Sequence, residues 1–187
     1  LGDVYKRQGT TVVGPDVVGS ELTRLGITNE EIVEVPGAVP DRMFDVEVTS
    51  NRGDCLSHIG IAREVAAGSA TGEPGGAALH LPSHAASLEV EGAVEAHASV
   101  TVETPEVCPR YTAWVVRCVR VGPSHALLVL RRETIGLRSV NNVVDVTNFV
   151  LHEYGQPLHA FDLGRLEGSK IVVRFAHSGE MFDAIDG

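Results

Sequence analysis

Aromatic residues are scarce in this sequence: Phe, Tyr and Trp together make up 5% of 187 residues. A core must therefore be built from Val, Leu, Ile and Ala, which a 43% hydrophobic content supplies. Cysteine is scarce as well. Cys55, Cys108 and Cys118 are odd in number and widely spaced. With no C-x-x-C pair, a zinc ribbon or thioredoxin-type motif is unsupported, and free thiols in a reducing compartment are expected. No apolar run approaches the roughly 18 residues of a membrane span, and no charged segment followed by an apolar stretch marks a secretory signal. A cytoplasmic protein with no membrane partner is expected. Positive charge is in deficit, 15 Lys and Arg against 25 Asp and Glu, a formal net charge of −10. That balance argues against DNA and against a phosphate-binding surface spread over the whole molecule, but not against a local site for one end of an RNA.

What is present divides along the chain. Residues 9–41 read as an irregular lead-in with a short helix near Ser20–Leu25. Phe44, Val46 and Val48 alternate with Asp45, Glu47 and Thr49, the period of a half-buried strand. Asn51–Asp54 reads as a turn, with Asp54 as N-cap of a helix from Cys55 to Ala67 and Gly68 as its C-cap. Gly68–Ser87, dense in Gly, Ala, Ser and Pro, is the clearest linker. Beyond it, Ala98, Val100 and Val102 suggest a strand, and Tyr111–Val121, apolar on nearly both sides, a central strand. Ser124 is placed to cap a helix ending near Ile135. Val140–Tyr154 reads as a second helix, closed by Gly155 and Pro157. Ile171–Phe175 and Met181–Ile185 complete the pattern as a hairpin. The order implies an α+β fold with a mixed or antiparallel sheet and packed helices, preceded by a small strand–helix unit. The expected divisions are 9–67, a linker at 68–96, and 97–187.

The densest polar constellation lies between Arg138 and Asp162. Val140, Val143, Val144, Thr147, Leu151 and Tyr154 form the expected buried stripe of the second helix, while Asn141, Asp145, Asn148 and His152 share the opposite face, expected to be solvated. His152, Glu153, His159 and Asp162 are possible metal ligands, but their spacing crosses Gly155 and Pro157, so no helix sets their geometry; no metal site is expected. Neither a nucleophile elbow nor a phosphate-cradling glycine loop is present. From the residues alone the reading is an α+β domain with a polar site near Asn148 and His159. Both are expected to face one cleft, because Gly155 can turn Leu158–Asp162 back beside the helix.

Val144–Phe149 (VDVTNF) followed by Gly155–Asp162 (GQPLHAFD) is similar to the signature of the bacterial-type phenylalanine–tRNA ligase beta-subunit family. Val48–Ser57 (VTSNRGDCLS) with Gly60–Val65 (GIAREV), Cys108–Tyr111 (CPRY) and Ile171–Arg174 (IVVR) resemble further segments of that family, in its order and near its spacing. Gly53 stands where the family usually has Pro. Leu1–Gln8 (LGDVYKRQ) resembles translated sequencing-adapter read-through and is set aside. The chain also starts without Met and stops on the turn dipeptide Asp186–Gly187, so a piece of a longer subunit is expected.

The resemblance implies a B3/B4-like tRNA-editing domain, truncated, over residues 97–187. In the family, that domain hydrolyses tyrosine wrongly attached to phenylalanine tRNA. A Phe pocket can reject Tyr only weakly by binding, so a second pocket that recognises the hydroxyl is needed. The matching positions are Thr147, Asn148 and His159, with Arg138 as a weaker candidate for the RNA end. His159 is expected to position the ester or the attacking water. The resemblance also implies an alpha-subunit partner that uses ATP and Mg2+ for aminoacylation, tRNA and mischarged tyrosyl-tRNA as ligands, and no cofactor in this chain. Two other readings are a free-standing editing homologue and a non-catalytic scaffold that docks the alpha subunit.

Overall fold

The structure, a computed structural model, describes residues 14–36, 41–69, 79–81 and 92–183. The expectations for Leu1–Gln8, for most of the Gly68–Ser87 linker, and for the end of the last strand with the Asp186–Gly187 turn lie outside the described residues.

Pro15 opens helix α1 (Pro15–Arg24) at a position where its fixed φ suits the first turn, and Arg24 pairs with Glu21 at the other end. The helix begins earlier than the sequence predicts. The lead-in also contains strand β1 (Thr28–Val35), which its Asn and Glu content conceals. Strand β2 (Asp41–Glu47) pairs with it antiparallel, Thr28 opposite Glu47 and Val35 opposite Asp41, with a register shift between Asn29 and Glu31. Ladder hydrogen bonds from a neighbour can override weak local propensity.

The turn at Asn51–Asp54 leads through a short 3-10 turn, Gly53–Cys55, into helix α2 (His58–Ser69). Its cap is Ser57, whose Oγ accepts the Gly60 N–H at 3.0 Å. Asp54, the predicted cap, instead takes the Arg52 guanidinium. Gly60 is required by packing: a Cβ there would lie 1.9 Å from the Asp54 carbonyl oxygen. Leu22, Ile27, Cys55, Ile61, Val18 and Val65 form the apolar cluster of this region, and Phe44, Val46 and Val48 pack against it in the predicted phase. Leu56, inside the span predicted as helix from Cys55, lies before α2 and is exposed.

Helix α3 (Ala126–Thr134) has His125 as its N-cap; the Ser124 hydroxyl, predicted for that role, is engaged elsewhere. Helix α4 (Asn142–Tyr154) is capped by Asn141, whose Oδ1 accepts the Val143 and Val144 N–H groups, both at 3.0 Å. Gly155, at φ 77°, ends it in the left-handed region, where glycine carries no Cβ penalty. Strands β3 (Ser99–Val102) and β4 (Lys170–Val173) pair in parallel, Ser99 opposite Lys170. The central strand predicted over Tyr111–Val121 does not form: the segment has no regular secondary structure, and Trp114, Val116 and Val121 stand exposed. Among the described residues no neighbouring strand pairs with it. Met181–Asp183, the described part of the other predicted hairpin arm, is not a strand either.

The architecture is α+β, as the pattern implies. The chain divides into two compact units, one of Leu1–Ala85 with Val121–Ala160, the other of Ala86–Arg120 with Phe161–Gly187. These units cut across the division drawn at the 68–96 linker. Contacts of α4 with α2, and of α4 with α3, group residues 121–160 with the amino-terminal elements. A linker-like composition marks where a chain is irregular; it does not fix which distant segments pack together.

Candidate functional site

Helix α4 carries the VDVTNF motif, and its polar face is occupied differently from the sequence expectation. Asp145, predicted on a solvated stripe, has no accessible surface. Four groups converge on its carboxylate. Oδ1 accepts the Arg132 Nη1–H and the Val140 N–H (3.0 Å); Oδ2 accepts the Ser124 and Ser139 hydroxyls, each at 2.5 Å. Arg132 is itself only 5% exposed, and its Nη2 donates to the Arg138 carbonyl at 2.9 Å. Burial alone would raise the Asp145 pKa. The serine hydroxyls, the Val140 N–H and the Arg132 charge outweigh it and hold the carboxyl below its ordinary value. A few residues along, Asn142 Oδ1 accepts the Gly122 N–H (3.1 Å) while its own N–H donates to the Gly122 carbonyl (2.8 Å). The start of α4 is thus pinned to the segment before α3 and to the loop between the two helices.

The other end of α4 meets α2. His58 Nδ1–H donates to the His152 carbonyl at 2.8 Å, and burial holds the His58 pKa below the ordinary imidazole value despite that hydrogen bond. On the predicted apolar stripe, Val140 and Tyr154 are exposed, and Val143, Val144, Thr147 and Leu151 are half-buried.

The predicted site residues distribute along this helix and its two flanks. Thr147 and Asn148 are neighbours on α4, both half-buried, with the Thr147 hydroxyl donating back to the Val144 carbonyl at 2.8 Å. Arg138 precedes the helix, its backbone held by Arg132 and its residue exposed. His159 follows the helix, exposed within the irregular segment Gln156–Ala160. Thr147 and Asn148 are therefore brought together, while Arg138 and His159 flank them at opposite helix ends in the chain. Leu158 and Phe161, on either side of His159 in the chain, are both exposed. Sequence reasoning missed Ser124, Arg132 and Ser139 as partners of Asp145. The available signal was an aspartate in the first turn of an apolar helix, with an arginine and two serines within about twenty residues upstream.

A second polar cluster sits at the 3-10 turn. Ligand-type atoms of Asp54, Cys55 and Glu64 lie within 4.8 Å of one another. Arg52 supplies the cation there, reaching Asp54 and Glu64 at 2.9 Å each and the Cys55 sulfur at 3.0 Å. The Arg52 hydrogen bond holds the Asp54 pKa down at about 2, and burial pushes the Cys55 thiol up, away from thiolate chemistry.

Residues 107–187 match the family model of the B3/4 domain. The chain is 52% identical over 147 residues to the phenylalanine–tRNA ligase beta subunit of Geobacter sulfurreducens, covering 79% of this chain and 18% of that protein. It is 51% identical over 175 residues to the beta subunit of Syntrophus aciditrophicus, covering 93% and 21%. With that of Syntrophotalea carbinolica it shares 46% identity over 186 residues, 100% of this chain and 21% of the relative. The chain spans about a fifth of the length of the curated relatives it matches, and the B3/4 match contains both halves of the motif that surrounds Thr147, Asn148 and His159. On this identity, and with the motif carried on an α+β architecture, the chain is similar over most of its length to one stretch of phenylalanine–tRNA ligase beta subunits, and residues 107–187 match the B3/4 domain.

Proposed function

We propose that this chain supplies part of a hydrolytic proofreading site that removes tyrosine mistakenly esterified to phenylalanine tRNA, within a beta subunit that supports aminoacylation by an alpha subunit. The B3/4 match over residues 107–187, enclosing the motif on and after α4, carries the reading. In the proposed step a water attacks the ester carbonyl, the acyl–oxygen bond breaks, and the products are free tyrosine and a tRNA with a free terminal hydroxyl. Thr147 and Asn148 offer hydroxyl and amide groups to the terminal nucleotide or the ester. His159, open to solvent, orients the ester or the incoming water, and Arg138 meets the RNA backbone. ATP and Mg2+ belong to the charging reaction of the alpha subunit.

The distribution of charge supports a local RNA-end site. Residues 1–96 hold 6 basic and 15 acidic side chains, a net of −9; residues 97–187 hold 9 and 10, a net of −1. The proposed site residues all lie in the nearly balanced part. The test uses the complete beta subunit carrying this sequence, assembled with its alpha subunit. His159→Ala should slow release of tyrosine from tyrosine-charged phenylalanine tRNA while phenylalanine charging stays at the parental rate. Equal loss of both activities would reject the site assignment.

A further inference from the structure

The Arg132–Asp145 pair is not among the proposed site residues, but it is bonded to the segments that carry them. An ion pair buried this fully is no more stabilising than a well-packed apolar pair of similar volume. What it adds is direction: each of its hydrogen bonds fixes an angle as well as a distance. The bonds reach the elements that carry the site. Arg132 holds Asp145 with one Nη and the Arg138 carbonyl with the other. Ser139 and Val140, the next two residues, bind the same carboxylate. Asn148 lies one helical turn beyond Asp145, on nearly the same face of α4, with Thr147 beside it. Rotation of α4 about its axis, or a shift of the loop before it, would break bonds to Asp145 before it moved any apolar contact appreciably. Among the described residues the guanidinium donates to these two acceptors, the Asp145 carboxylate and the Arg138 carbonyl.

We infer that Arg132 and Asp145 are positioning residues for the editing site: together they set the loop that presents Arg138 and the rotation of α4 that presents Thr147 and Asn148 to the tRNA end. The inference rests on the proposed proofreading function. Neither residue touches the RNA or the ester. Their removal alters the geometry of groups that do.

The decisive variant is the paired substitution Arg132→Met with Asp145→Leu, which removes both charges and keeps volume in the interior. In the complete beta subunit with its alpha subunit, this variant should melt close to the parent and charge phenylalanine at the parental rate. Its kcat for releasing tyrosine from tyrosine-charged phenylalanine tRNA should fall by on the order of a hundredfold, the penalty of a misplaced reactive geometry. Parental deacylation by the paired variant would overturn the inference, and so would a matched decline of charging and deacylation. If the paired variant fails to assemble, Arg132→Lys takes its place, since it keeps the charge on Asp145 but cannot also hold the Arg138 carbonyl with a planar fork. It should lower deacylation at an unchanged melting temperature, and parental deacylation there counts against the inference equally. A parent without deacylation rejects the proofreading function itself and removes the site to be positioned; that failure is seen in the parent and not in the variants.

Discussion

Between Pro15 and Ser69 the chain buries Leu22, Ile27, Ala62 and Val65 and leaves most of its charges at the surface, whereas between Val121 and Ala160 the two residues withdrawn from solvent are Arg132 and Asp145. Both stretches belong to one compact unit. The first is held by non-directional burial, where Leu22 and Ile27, at 0 and 1% exposure, contribute about 2 kcal/mol each relative to exposed side chains. The second is held by a few directional bonds converging on one carboxylate. An apolar cluster tolerates small displacements of its members; a four-donor carboxylate does not. The polar stretch is also the one that bears the proposed site, where orientation matters more than bulk stability.

Breaking the polar hub should have the largest effect. Asp145→Ala leaves the Arg132 guanidinium buried without its counter-ion, and urea unfolding should register a loss of about 3–5 kcal/mol. A loss under about 1 kcal/mol would erase the contrast, since the hub would then be ornamental. Leu22→Ala probes the apolar side and should cost about 3 kcal/mol by transfer and cavity terms together. The two substitutions should differ in rescue: a second apolar replacement at Arg132 should restore much of the first loss, and no single partner change should restore the second.

Acid separates the regions further. Folding lowers the pKa of His58 and of Asp145, so the unfolded chain binds both protons more readily and falling pH favours unfolding. The His58 contribution is complete above its unfolded pKa of about 6.5 and declines as pH falls through that value; the Asp145 contribution persists to about pH 4 and is lost below it. Thermal melts from pH 8 to pH 3 should fall in two stages, the second smaller in the Arg132→Met, Asp145→Leu pair but not abolished, since Asp54, Glu21 and Glu180 also have lowered pKa values in the fold. Smaller still is Asn141→Ala, which removes the acceptor for two N–H groups of α4 and should cost about 1 kcal/mol. Least of all, Met181→Ala, at a side chain 91% exposed, should stay within about 0.5 kcal/mol of the parent.

Periodicity made the apolar region legible. Phe44, Val46 and Val48 alternate in the sequence and pack together in the fold, and helices α2, α3 and α4 lie near their predicted spans. Polar burial was not legible in the same way. An aspartate among asparagines at helical spacing looks like a wetted stripe, because the pattern records polarity but not the donors that distant segments bring to it. Tyr111–Val121 failed for the complementary reason: its composition suits a central strand, but a strand exists only through its neighbours, and among the described residues none pairs with it. Of the candidate site, the sequence motif placed Thr147 and Asn148 side by side on a helix, and Gly155 ends that helix as its type suggests. The bonds to Asp145 on the same helix were invisible because Ser124 and Ser139 look like ordinary cap and loop residues.

The parallel pairing of Ser99–Val102 with Lys170–Val173 has a consequence for the order in which the molecule is born. The hairpin of β1 and β2 is complete as soon as Glu47 is synthesised. Strand β3, by contrast, must wait until Lys170 has been made, roughly 4–14 s later at about 5–20 residues per second. In that interval the chain adds Val121–Ala160, which belongs to the other unit. The ribosome therefore delivers Val121–Ala160 before the partner of β3 exists, and the helix bearing Thr147 and Asn148 can settle on its carboxylate hub before the parallel pair of β3 and β4 forms.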